Sequence, residues 1–125
     1  MLFKWRDGRQ RTGYRVMTLF SSHLLRCDIH LIWYGVGSRV PPHKDPVPNP
    51  RYRHHRFNVV LKKPKIGGYF RCAGPYYHSF DRRVIYFCPE NTHSVTRVGG
   101  SSRVVISFGW LTKKKADPLN EFVPT

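Results

Sequence analysis

His43 and Asp45 stand one residue apart in the stretch PPHKD. In extended backbone, side chains two positions apart project to the same side, so an imidazole and a carboxylate placed this way can share one ion. Taken alone, His-x-Asp is a common pair that a surface loop accommodates just as readily. A second imidazole changes its meaning. His93 follows fifty residues on, in a turn between the strand-like runs RRVIYFCP and SVTRV. Two histidines and one carboxylate occupy one face of an octahedral ion and leave three positions open, the arrangement of non-haem Fe(II) sites that must admit oxygen and a second ligand. His43, Asp45 and His93 are therefore the candidate metal ligands and catalytic residues.

Such ligands need a rigid frame, and the chain reads as strands. Runs of β-branched and aromatic residues over 28–34, 39–41, 56–61, 68–72, 83–88, 94–98 and 103–110 are separated by Gly, Pro, Asn and Ser clusters, the rhythm of a β sandwich or barrel. Near-helical apolar spacing occurs only over 16–25, so the expected fold is mainly all-β with at most one or two short N-terminal helices. PPHKDPVPNP packs five prolines into ten residues, which makes it a loop of restricted backbone. One domain spans 1–125, with a core over about 28–110, a basic N-terminal arm over 1–15 and a flexible tail over 112–125.

The order of motifs resembles the 2-oxoglutarate and Fe(II) dependent oxygenase superfamily, nearest to its prolyl hydroxylase-like branch. That family's apolar strand, Tyr, Gly and then His-x-Asp is similar to IHLIWYGVGSRVPPHKD, with Tyr34, Gly37, His43 and Asp45 in the matching places. The next strand, opening with Arg and leading to paired glycines, resembles RFNVVLKKPKIGGYF, with Arg56, Gly67 and Gly68. The resemblance covers about residues 28–110 and implies a jelly roll, or double-stranded β-helix. It places Arg103, ten residues past His93, as the clamp on the distal carboxylate of 2-oxoglutarate. A guanidinium suits that task because its rigid fork donates two charge-assisted hydrogen bonds to one carboxylate. The Tyr34 hydroxyl is then a candidate donor to the cosubstrate. Ser107 shares a strand face with Arg103, and Asn58 shares one with Arg56, which makes these further cosubstrate-site candidates. The implied reaction is hydroxylation of a C–H bond with Fe(II), O2 and 2-oxoglutarate, with ascorbate as reductant, on a protein side chain such as proline.

The composition frames that reading. Lys and Arg number 22 against 7 Asp and Glu, for a net charge of +15, which favours an anionic partner. Oxidation of a nucleic-acid base or methyl group is accordingly the second enzymatic reading, and a non-catalytic jelly-roll binding module is the third. Members of the family carry helices that cover the large sheet. With only about 27 residues before the first expected strand, a sheet left uncovered predicts a homo-oligomer. Cys27, Cys72 and Cys88 form no CxxC pair and read as free thiols. With no signal peptide and no 18-residue apolar run, the expected location is cytoplasmic, with no membrane contact.

Overall fold

The computed structural model describes residues 2–8, 12–47 and 49–114. Its strands are β1 (Trp5–Asp7), β2 (Tyr14–Ser22), β3 (Cys27–Tyr34), β4 (Val40–His43), β5 (Tyr52–Lys62), β6 (Ile66–Gly67), β7 (Phe70–Cys72), β8 (His78–Phe80), β9 (Val84–Phe87), β10 (His93–Val95), β11 (Val98–Gly99) and β12 (Arg103–Lys113). A large sheet runs in the order β1-β2-β3-β12-β5-β9-β8, a small one in the order β4-β10-β7, and β11 pairs with β6. Every paired ladder is antiparallel. This is the double-stranded β-helix, and among the described residues it carries no helix. It follows that no described helix is long and apolar enough to cross a membrane.

The 16–25 segment differs from its expected helix. It is mostly strand, because Val16 and Thr18 are β-branched and pair with Ile32 and His30 of β3. A register shift between Thr18 and Phe20 leaves Leu19 unpaired, and that bulge breaks the period of two and imitates a helical spacing. The jelly roll therefore starts well before residue 28. Part of the expected basic arm is strand too, since Trp5 to Asp7 pair with Met17 to Arg15. Arg9 and Arg11 lie outside the described residues. At the other end β12 continues to Lys113, pairing with Tyr52, so the tail begins later than expected. Most of it lies outside the described residues.

Strand β12 shows how the fold aims its side chains. Arg103, Val105, Ser107 and Gly109 are buried and alternate with half-buried Val104, Ile106, Phe108 and Trp110, so the first set faces the barrel interior. The register continues that interior across neighbours: Arg103 lies beside Tyr34, Val105 beside Ile32 and Val60, and Ser107 beside His30 and Asn58. Ile85, Phe87, Val95 and Val98 complete the core. The opposite face of the large sheet exposes Trp5, Trp33, Phe57 and Phe80.

Candidate metal centre

Strands β4 and β10 pair so that His43 and His93 are directly opposite, and their rings come to 4.3 Å between centroids. Just past β4, the Asp45 amide donates to the carbonyl of Pro89 at 2.8 Å, which fixes the proline-rich loop against the loop that precedes β10. The Asp45 carboxylate then reaches both imidazoles: Oδ1 lies 3.5 Å from His43 Nε2 and Oδ2 lies 3.4 Å from His93 Nε2. One ligand atom from each of the three residues lies within 4.8 Å of the others.

The far side of each ring defines what Nε2 presents. His43 Nδ1 is 2.9 Å from the carbonyl of Pro41, and His93 Nδ1 is 2.8 Å from the carbonyl of Asn91. A carbonyl oxygen only accepts, so Nδ1 carries the proton in both rings, and in the neutral imidazole Nε2 is a bare lone pair. Two lone pairs aimed at a carboxylate repel unless a cation sits among them. The orienting backbone carbonyls are the partners that metal-binding histidines ordinarily have. The donor set fits a divalent ion: ligands about 2.1 Å from a metal and at right angles to one another are about 3 Å apart. Phe87 packs 5.1 Å and Phe70 6.1 Å from the His93 ring, which leaves His93 7% exposed, whereas Asp45 retains access to solvent.

Beyond Phe70 the interior opens into a cavity of about 420 Å³, lined among others by Val60, Gly67, Gly68, Ile85 and Arg103. Arg103 is 2% exposed, its guanidinium sits 4.7 Å over the Tyr34 ring, and among the described residues its Nη1 has no hydrogen-bond partner. Gly68 makes room for it, and Gly67 lets the chain pass close to Arg97. At φ +66° both occupy backbone that side chains avoid, and a Cβ on Gly68 would come within 3.3 Å of Arg103 Cδ while one on Gly67 would collide with the carbonyl of Arg97. Asn58 is also buried in the barrel, with Oδ1 unpartnered among the described residues.

Arg56 and Ser107 differ from their expected role. Arg56 Nε donates to Ser107 Oγ at 2.8 Å, and its Nη2 donates to Asp28 Oδ1. Both side chains are thus committed to an interior ion pair rather than to a cosubstrate. Asp28 also lies 3.4 Å from His30 Nε2, and His30 Nδ1 meets Thr18 Oγ1 at 3.0 Å. Burial works to raise the Asp28 pKa, but His30 and Arg56 outweigh it and hold the carboxyl well below the usual range. Sequence reading missed this network, although Asp28-x-His30 has the same period-two spacing that singled out His43-x-Asp45.

His54 closes the network, with Nε2 3.3 Å from Arg56 Nη1. Burial first and then the Arg56 charge push its pKa down to about 4. The unfolded chain, titrating near 6.5, therefore takes up that proton first. Stability is complete above about pH 6.5 and falls as pH drops toward 4, with roughly 2 kcal/mol lost by about pH 5. Urea unfolding at the two ends of this window checks it, and His54→Gln is expected to flatten that loss.

No family model matches the chain, and no curated protein matches it. Solved structures do. A prolyl-4-hydroxylase from Pseudomonas putida superposes with a TM-score of 0.62 at 16% identity, over 90% of this chain and 79% of that one. An RmlC-like cupin from Shewanella frigidimarina NCIMB 400 gives 0.58 at 16% identity over 86% and 82%. KdgF from Halomonas sp. gives 0.56 at 13% identity over 93% and 90%. The chain has the cupin-type jelly-roll fold. At these identities the likeness speaks for architecture, and the chemistry must come from the side chains.

Proposed function

We propose that the protein is a 2-oxoglutarate and Fe(II) dependent dioxygenase that hydroxylates a C–H bond, with a protein side chain such as proline as the leading substrate class. The observation that carries this reading is the buried Arg103 guanidinium, whose Nη1 has no partner among the described residues, in the wall of a cavity that Phe70 also lines, the Phe70 ring lying 6.1 Å from that of His93. A buried cation without a counter-charge is costly, and a carboxylate arriving through the cavity offsets that cost. A 2-oxo acid with a second, distal carboxylate joins the two ends of the site: the oxo acid suits the metal, and the distal carboxylate suits Arg103.

Fe(II) held there supplies oxygen activation, coupling decarboxylation of 2-oxoglutarate to succinate and carbon dioxide with transfer of one oxygen atom to the substrate. The protein's own part is positioning. Pro41 and Asn91 carbonyls aim the imidazoles, Asp45 supplies the negative charge, Phe70 and Phe87 keep water from His93, and Tyr34 supports Arg103. Two imidazoles and one carboxylate converging on a single point disfavour a purely structural binding module. Nucleic-acid oxidation stands as the second reading, on the strength of the +15 charge.

Calorimetry with Mn(II) in place of iron tests the role of the distal carboxylate. 2-Oxoglutarate is expected to bind at least a hundredfold more tightly than 2-oxopentanoate, which lacks that carboxylate; equal affinities would contradict the reading. We further propose that the open face carrying Trp5 (45% exposed) and Trp33 (38%), at the β1–β3 end of the sheet, pairs with a second copy. Light scattering is then expected to give a mass above the 14.7 kDa of one chain, and a monomer at micromolar concentration would refute the pairing.

A further inference from the structure

The mouth end of the large sheet carries a second feature on its outer surface. His55 of β5, Tyr86 of β9 and Trp110 of β12 share this face, and their ring planes lie within 20° for His55 and Tyr86, 14° for His55 and Trp110, and 31° for Tyr86 and Trp110. His55 is hydrogen-bonded at both nitrogens, Nδ1 to the Tyr86 hydroxyl and Nε2 to Thr112 Oγ1 at 2.6 Å. Ring nitrogens bond in the plane of the ring. Tyr86 must therefore lie beside the imidazole and not over it, so these two half-buried rings sit edge to edge as one tile. His78, exposed and 21° from the Tyr86 plane, extends the tile on β8.

Cations lie on both sides of the sheet at this end. Arg53 shares the tile's face, its guanidinium 4.2 Å over the Tyr76 ring, whereas Tyr52 and its ladder partner Lys113 alternate to the inner face, with the Arg26 guanidinium 4.7 Å over the Tyr52 ring. Among the described residues none of Arg26, Arg53 and Lys113 forms an ion pair.

We propose that this end of the sheet docks single-stranded nucleic acid, with bases laid on the ring tile, the adjoining phosphate on Arg53, and the strand passing over the sheet end to Arg26 and Lys113. Flat rings beside guanidinium groups are what an unpaired strand requires: every base offers a π-face of its own, and each phosphate contact releases counterions. An acidic peptide would use the cations and leave the rings idle. This end of the sheet also lies next to the barrel mouth, since His54, between Arg53 and His55, bonds through its amide to Glu90, three residues before His93. Docking itself uses none of the metal ligands, so it stands independently of the oxygenase reading.

Fluorescence anisotropy of a fluorescein-labelled oligothymidylate of roughly twelve nucleotides, with metal and 2-oxoglutarate omitted, tests it on the full chain. Expected is binding at low salt that weakens steeply as salt rises, with a loss of at least tenfold in Arg53→Glu/Lys113→Glu. Tyr86→Leu and Trp110→Leu are expected to weaken the oligonucleotide about tenfold while leaving polyglutamate binding unchanged. The exposed-charge variant keeps the test decisive if a ring variant proves unfolded by circular dichroism. Absence of binding at low salt would overturn the proposal. So would affinity unaltered by either kind of variant, or polyglutamate binding as tight as the oligonucleotide and equally indifferent to the rings, which would point to an acidic protein partner.

Discussion

Asp45→Ala is expected to lower affinity for Fe(II) or Mn(II) by a hundredfold or more and to abolish turnover, while leaving the fold intact. Asp45 supplies the cluster's single carboxylate, and without it two neutral imidazoles remain with no charge to hold a divalent cation. Loss of an orienting partner of a metal ligand already costs 10 to 100-fold, so loss of a ligand should cost at least as much. The side chain is partly exposed, at 29%, so its truncation leaves no sealed cavity and melting of the metal-free protein should change little. Titration of metal into wild type and variant, followed by calorimetry, reads the difference. Equal affinities would mean that the ion, if bound, sits elsewhere.

The second large effect concerns Arg103. Arg103→Leu is expected to raise the KM for 2-oxoglutarate by a hundredfold or more, and Arg103→Lys by less, because an ammonium keeps the charge but loses the fork. The same Leu variant is expected to melt higher than wild type by a few degrees when no ligand is present. Replacing a buried, partly unpaired guanidinium with an aliphatic group removes a desolvation cost of roughly 1–4 kcal/mol, against which the contact with the Tyr34 ring is a smaller loss. 2-Oxoglutarate should reverse the order, since it stabilises wild type by mass action and not the variant. Thermal melts with and without ligand check both halves. A variant that melts lower than wild type without ligand would show that Arg103 is a structural residue.

Particular residues show what was legible from sequence. The convergence of His43, Asp45 and His93 was, because its signal is local: a strand spacing of two for His43 and Asp45, and the His93 turn between two strong strands. The inner face of β12 followed from alternation alone. Strand β2 was not legible, since a single bulge at Leu19 turned a period of two into something resembling a helix, and its true pattern depends on pairing with β3, which is remote information. The Arg56 to Asp28 pair failed for a similar reason. The alternation of β5 correctly turned Arg56 into the barrel, but which partner it meets there is decided by β3, two strands away across β12, at a distance in sequence that no motif spans. Ser107 was drawn into that pair with it. The aromatic tile at His55, Tyr86 and Trp110 is a three-strand feature too, invisible until β9, β5 and β12 are placed side by side.

The central claim is that His43, Asp45 and His93 hold an iron that turns over the ligand of Arg103. Its most direct test is succinate formation from 2-oxoglutarate with Fe(II), ascorbate and oxygen, with no added substrate, compared between wild type and Asp45→Ala. Slow but measurable succinate from wild type and none above background from the variant is the predicted result; equal succinate from the two proteins would contradict it.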